Sequence, residues 1–210
     1  MSRLFAFDMD GTLLPGTSGL LELAKELGTV DRLNVLETRY VAGDLDTVDF
    51  TREISRLWGP ITPTIAEAAF AKAPKIDGIE EVVAQVRSAG GISCVVTMSQ
   101  DIFANEFLKW GFDHVFSTTY PPNHGYNYDK ILTPEHKIHL LQDVADEHGF
   151  DFVETVAFGD SRSDVPLFQK VKYPISINGD EYVEAHAVMA YNGNSLLDAF
   201  IQSERLWSPR

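Results

Sequence analysis

The chain is short of cysteine, of positive charge and of long apolar runs, and each shortage removes a class of function. A single cysteine, Cys94, leaves no partner for an internal disulfide. Its run, Ile92-Ser93-Cys94-Val95-Val96, reads as a buried strand, so Cys94 is expected to be a small core residue rather than a reactive thiol. Lys and Arg number 17 against 31 Asp and Glu, a formal charge of -14. That balance argues against a nucleic-acid partner, which needs a basic face. No apolar run approaches the roughly 20 residues of a membrane span. Leu4 to Phe7 is too short for a secretory leader. The expectation is a cytoplasmic protein with no membrane or nucleic-acid partner. No repeat and no low-complexity segment interrupts it.

What is present is an alternation of strands and helices. Leu4 to Phe7 reads as a first buried strand running into an acidic loop. Helical patterns over 20–27, 31–42, 47–58 and 63–73 follow, punctuated by Gly28, Gly43 and Gly59-Pro60. From residue 77 the order becomes helix 78–89, strand 92–96, helix 101–110, strand 114–117 and a helix opened by Thr133-Pro134. Strand 155–158, a helix, strand 175–177 and two further helical stretches complete it. This order predicts an α/β fold, a Rossmann-like parallel sheet with helices on both faces. Residues 1–15 and 77–210 would make that core. Segment 16–76 would be a small helical cap inserted after the first strand.

Several polar residues fall at strand ends or helix starts, where a parallel sheet builds its ligand crevice. Asp8 and Asp10 follow the first strand, Thr97 the second, and Asp160 and Asp164 the strand at 155–158. Lys137 lies in the first turn of the helix that starts near Pro134. Two carboxylates about 4 Å apart repel by roughly 4 kcal/mol at an effective dielectric of 20. A cluster of them calls for a hard cation, and Mg²⁺ beside a phosphate is a common solution. Lys137 is locally unfavourable, because a helix N-terminus prefers anions. Asp8 or a phosphate would compensate it.

These residues resemble the motifs of the haloacid dehalogenase-like (HAD) hydrolase superfamily, in its phosphoserine-phosphatase-like branch. Asp8-Met9-Asp10-Gly11-Thr12 is similar to the first motif, and Thr97 holds the place of the second. Lys137 matches the third-motif lysine, and Gly159-Asp160-Ser161-Arg162-Ser163-Asp164 resembles the fourth. The resemblance implies a Mg²⁺-dependent phosphatase acting on a small phosphorylated metabolite through an aspartyl-phosphate on Asp8. Asp10 would serve as acid and base. Mg²⁺ would be held by Asp8, the Asp10 backbone carbonyl and Asp160, with Asp164 close by. Thr97, Met98, Lys137 and Arg162 would contact the phosphate or substrate. Lys137 would also keep Asp8 ionised. A phosphotransferase or phosphomutase on the same scaffold is the alternative.

The chain departs from that branch where the substrate would be read. Phosphoserine phosphatases carry a glutamate after the first motif, but Leu13 to Leu21 contains no acid, and Thr17 stands near its place. Met98 and Ser99 replace two glycines. Leu57 stands where a cap arginine is usual. These changes argue against phosphoserine as the substrate. Arg39, Arg52 and Arg56 are further candidates for an anionic substrate, each more simply read as a solvated or paired helix residue. His136 and His139 flank Lys137 without a metal-ligand pattern. The stretch Tyr120 to Tyr128 is an aromatic loop at the mouth or on the surface.

Overall fold

The computed structural model describes residues 2–120 and 130–208. After strand β1 (Leu4–Phe7) come helices α1 (Gly19–Glu26), α2 (Val30–Val41), α3 (Thr47–Trp58), α4 (Pro63–Lys72) and α5 (Ile79–Ser88). Then follow β2 (Ile92–Gln100), α6 (Asp101–Ala104), β3 (His114–Thr118), α7 (Pro134–His148), β4 (Val156–Gly159) and α8 (Val165–Phe168). Strand β5 (Tyr173–Ile177), α9 (Glu181–Glu184), β6 (Met189–Tyr191) and α10 (Leu196–Glu204) close the series. The strands lie in the order β3-β2-β1-β4-β5-β6, and each neighbouring pair is parallel. This is the Rossmann-like sheet that the alternation predicts.

Strand side chains alternate between two covered faces, as a pleat requires. Phe5, Phe7, Val95, Phe158 and Ile175 pack with Ile79, Val82 and Val86 of α5 and Phe200 of α10. Leu4, Ala6, Cys94, Val96 and Ala157 pack on the opposite face with Leu141 and Val144 of α7 and Leu167 of α8. Cys94 is therefore a core residue, and burial pushes its thiol pKa well up.

Helices α1 to α4 match the four predicted helices within two residues. Ser18 caps α1 by accepting from Leu21 N, Asp46 caps α3, and Thr62 caps α4 ahead of Pro63. Their buried Leu33, Phe50, Ile54 and Phe70 join the same apolar cluster as β1. Trp58 Nε1 donates to Thr29 Oγ1 at 2.9 Å, and the Tyr120 hydroxyl donates to the Gly59 carbonyl. The rest of the predicted aromatic loop, 121–128, lies outside the described residues.

Three differences have local causes. Strand β2 runs past Val96 to Gln100, so Thr97 lies inside it rather than after it. The apolar signal stops at Val96 because Thr97, Ser99 and Gln100 are polar, although all three are buried. The predicted helix 101–110 is one α turn followed by a 3-10 helix over Asn105–Trp110. Strand β6 was unforeseen: it is three residues long, partly exposed and at the sheet edge, so no apolar alternation marks it. Among the described residues, no helix is long and apolar enough to cross a membrane.

Candidate active site

From β1 the chain passes to β2 and β3 on one side, then returns to β4 on the other. Such a reversal leaves a crevice outside the carboxyl ends of the strands. Asp8 leaves β1 there, Asp160 leaves β4, and Thr97 and Ser99 extend along β2.

Lys137 is the centre of the cluster. Pro134 opens α7, and His136 Nδ1 accepts from Thr133 N at 3.0 Å, fixing the turn that carries Lys137. Lys137 is only 1% exposed, and its Nζ lies 2.6 Å from Asp8 Oδ1 and 2.7 Å from Asp164 Oδ1. The cation that the helix dipole disfavours is thus held by two carboxylates. Burial opposes its charge, but Asp164 and Asp8 outweigh burial and raise its pKa.

Asp164 links Lys137 to the loop that follows β4. Its Oδ2 accepts from Asp160 N at 3.2 Å and from Ser161 N at 3.1 Å, so both of its oxygens are engaged. Asp160 Oδ1 accepts from Thr12 Oγ1 at 2.8 Å. Among the described residues, no hydrogen bond reaches Asp8 Oδ2 or Asp160 Oδ2. Two glycines make room for these carboxylates. A Cβ on Gly11 would lie 2.0 Å from Asp160 Oδ2, and Gly11 has φ +83°. A Cβ on Gly159 would lie 2.5 Å from Asp164 Cγ.

Asp10 is gripped at both oxygens. The Gly19 amide donates to Oδ1 at 2.8 Å, and Ser99 Oγ donates to Oδ2 at 2.5 Å. Ser99 N in turn donates to Thr97 Oγ1 at 3.1 Å. Burial nevertheless raises the Asp10 pKa. Neither Ser99 nor Gly19 was among the residues singled out for a role. Ser99 had a signal, because it lies two residues past Thr97 and shares its face of an extended strand.

Charge is what the site lacks. Asp8, Asp160 and Asp164 each offer an oxygen within 4.8 Å of the others. Burial and Asp164 push Asp160 up to about 7. Burial, then Asp164, also raise Asp8 well above the usual carboxylate range, against the pull of Lys137. The expected pull of Lys137 toward ionised Asp8 is present, but burial and Asp164 outweigh it. A hard cation fits this all-oxygen donor set and would relieve the repulsion.

The family comparison decides the kinship. The model of haloacid dehalogenase-like hydrolases matches residues 5–169. The chain belongs to this family. This HAD-like hydrolase is 25% identical to the phosphoserine phosphatase of Archaeoglobus fulgidus over 187 residues, 87% of this chain. That match spans 54% of the relative, about half its length. It is also 25% identical to the phosphoserine phosphatase of Methanocaldococcus jannaschii, over 83% of this chain and 84% of the relative. Its fold resembles that of a phosphoserine phosphatase carrying a phospho-aspartyl intermediate analogue. The TM-score is 0.76 at 22% identity, covering 96% of this chain and 98% of that one. A HAD family hydrolase from Salmonella enterica serovar Typhi gives a TM-score of 0.81 at 22% identity, covering 96% and 72%. These relatives and the first of these fold neighbours are phosphoserine phosphatases, the branch that the motifs of this HAD-like hydrolase resemble.

Not every predicted contact gathers at the crevice. The Arg162 guanidinium lies over the Tyr182 ring, 4.6 Å from its centre. Arg52 pairs with Asp49 and Arg56 with Glu53, both at 2.6 Å. Arg39 is exposed on α2, and Met98 is half-buried on β2.

Proposed function

We propose that this hydrolase is a Mg²⁺-dependent phosphatase that cleaves a small-molecule phosphate monoester through an aspartyl-phosphate on Asp8. The observation that carries the reading is the buried contact of Lys137 with both Asp8 and Asp164, beside Asp160. Phosphoric monoester hydrolysis is also the reaction named for the phosphoserine phosphatase relatives, which supports hydrolysis over phosphoryl transfer to a second substrate. We take α1 to α4, within 16–76, to be the cap of the site.

The residues divide the work. Asp8 Oδ2, free of hydrogen bonds among the described residues, would attack phosphorus, while Lys137 holds Oδ1 and orients the carboxylate. As the phosphorus–oxygen bond of the ester breaks, Asp10 would give its proton to the leaving oxygen. Its raised pKa suits that donation. Ionised Asp10 would then take a proton from water as that water attacks phosphorus and the bond to Asp8 breaks. Inorganic phosphate, the Asp8 carboxylate and reprotonated Asp10 result. Lys137 and the Thr97 hydroxyl would bind phosphoryl oxygens. Asp8, Asp160 and the Asp10 carbonyl would hold Mg²⁺, with Asp164 fixing Lys137 and the Asp160 loop. The bound ion would supply positive charge for the phosphoryl group and the carboxylates around it.

The test is phosphate release from a panel of phosphate monoesters, with Mg²⁺ and with chelator. Release that needs Mg²⁺ and disappears in Asp8→Asn is expected. Metal-independent release, or release retained by Asp8→Asn, would overturn the reading.

A further inference from the structure

The mouth of the crevice is a cavity of about 600 Å³. Asp10 and Asp160 line it together with Thr17, Ser18, Glu37 and Asn178. Among the described residues lining it there is no Lys, Arg or His. Apart from Asp10 and Asp160, which belong to the acid–base and metal set, Glu37 is the one charged side chain among the described residues lining it, so a second charged group on a substrate would meet Glu37.

Two further acids lie near this mouth, and their situations differ. Glu22 is buried and already engaged, accepting from the Thr17 hydroxyl and pairing with Lys25 Nζ at 2.7 Å. That also occupies Thr17, the residue standing where the branch carries a substrate-reading glutamate. Glu37, on α2, is only half-exposed, and no hydrogen bond or ion pair within the described residues satisfies its carboxylate. Partial burial without a partner raises its pKa. A cation held there would restore what desolvation removes. Arg32 and Arg56 line a separate groove with Asp31, Val35 and Glu53.

We infer that Glu37 is a specificity-determining residue and that the preferred substrate is a phosphate monoester whose alcohol carries an ammonium group and no second anion. This rests on the phosphatase reading above. The phosphate would enter toward Lys137, and the ammonium would face Glu37 across the mouth. Carboxylate-bearing and bisphosphate esters are disfavoured by the charge of Glu37.

The test compares three esters of similar size in the full chain with Mg²⁺: O-phosphoethanolamine, n-propyl phosphate and 2-phosphoglycolate. The kcat/KM for the ammonium ester is expected to exceed that for the neutral ester by about tenfold, the scale of a partly desolvated ion pair. The carboxylate ester is expected to be the poorest. In Glu37→Gln the ammonium-to-neutral ratio falls toward one, and in Glu37→Lys the order shifts toward 2-phosphoglycolate. Comparing ratios within each enzyme separates charge reading from any general loss of activity. A wild-type enzyme that hydrolyses n-propyl phosphate without favouring the ammonium ester overturns this inference and leaves the phosphatase reading standing. So does a preference that survives Glu37→Gln. No Mg²⁺-dependent hydrolysis of any ester, p-nitrophenyl phosphate included, overturns both.

Discussion

Replacing Lys137 by alanine would remove a buried cation bonded to both Asp8 and Asp164. At 2.6 and 2.7 Å, each contact contributes about 6 kcal/mol of attraction at an effective dielectric of 20. The cost of burying three charges offsets most of that sum, so the net is far smaller. Removing one partner leaves the others buried and uncompensated, which typically costs about 3–5 kcal/mol. Lys137→Ala should therefore lose about that much stability in urea denaturation with chelator at pH 8. Two conditions should shrink the loss. Added Mg²⁺ supplies positive charge to the same carboxylates. Lower pH protonates Asp8, whose pKa already lies well above the usual range. A Lys137→Ala protein within about 1 kcal/mol of wild type in chelator at pH 8 would refute this reasoning, since the cluster would then not depend on Lys137.

Asp160 gives a pH prediction of definite sign. Burial and Asp164 push its pKa from the ordinary 3.8 up to about 7, so the folded state holds the proton more tightly than the unfolded state. Metal-free stability should fall as pH rises through that window and level off above it. The Tm increase on adding Mg²⁺ should accordingly be larger at pH 8 than at pH 5.5, and an equal or smaller increase would count against the site. Gly11→Ala forces a positive φ on alanine and drives its Cβ into Asp160. Mg²⁺ affinity measured by isothermal titration should drop roughly 10-fold to 100-fold; an unchanged affinity would separate Asp160 from the metal. Ser99→Ala removes one of the two donors that aim Asp10. We expect kcat to fall about 10-fold to 100-fold with KM little changed, and an unaltered kcat would remove Ser99 from the arrangement.

The sheet was legible because its central strands are short apolar runs bounded by glycine or acidic turns. Strand β1 and the buried part of β2 carry no competing pattern. The four helices of 16–76 were legible from their caps and from Gly43 and Gly59-Pro60. Asp8, Asp160, Asp164 and Lys137 could be grouped from their places at strand ends and a helix start, and they do lie together. The sign of the Asp8 shift was not legible. It depends on burial first and on Asp164 next, against the pull of Lys137, and the folded arrangement sets all three. The reach of β2 through Ser99 was hidden because a strand that lines a polar site stops looking apolar. Glu37 was hidden for another reason. On α2 it is one charge among many, and its place at the mouth follows from how α2 packs above the crevice.

The central claim is covalent catalysis at Asp8, and trapping the intermediate tests it most directly. The enzyme would be quenched with acid during turnover of a good ester with Mg²⁺, then treated with borohydride, which reduces an acyl phosphate to the alcohol. Mass spectrometry of the peptide containing Phe7-Asp8-Met9-Asp10 should find Asp8 converted to homoserine, and only when substrate and Mg²⁺ are both present. Turnover with Asp8 unmodified under these conditions, or with the reduced residue at any other position, would contradict the account.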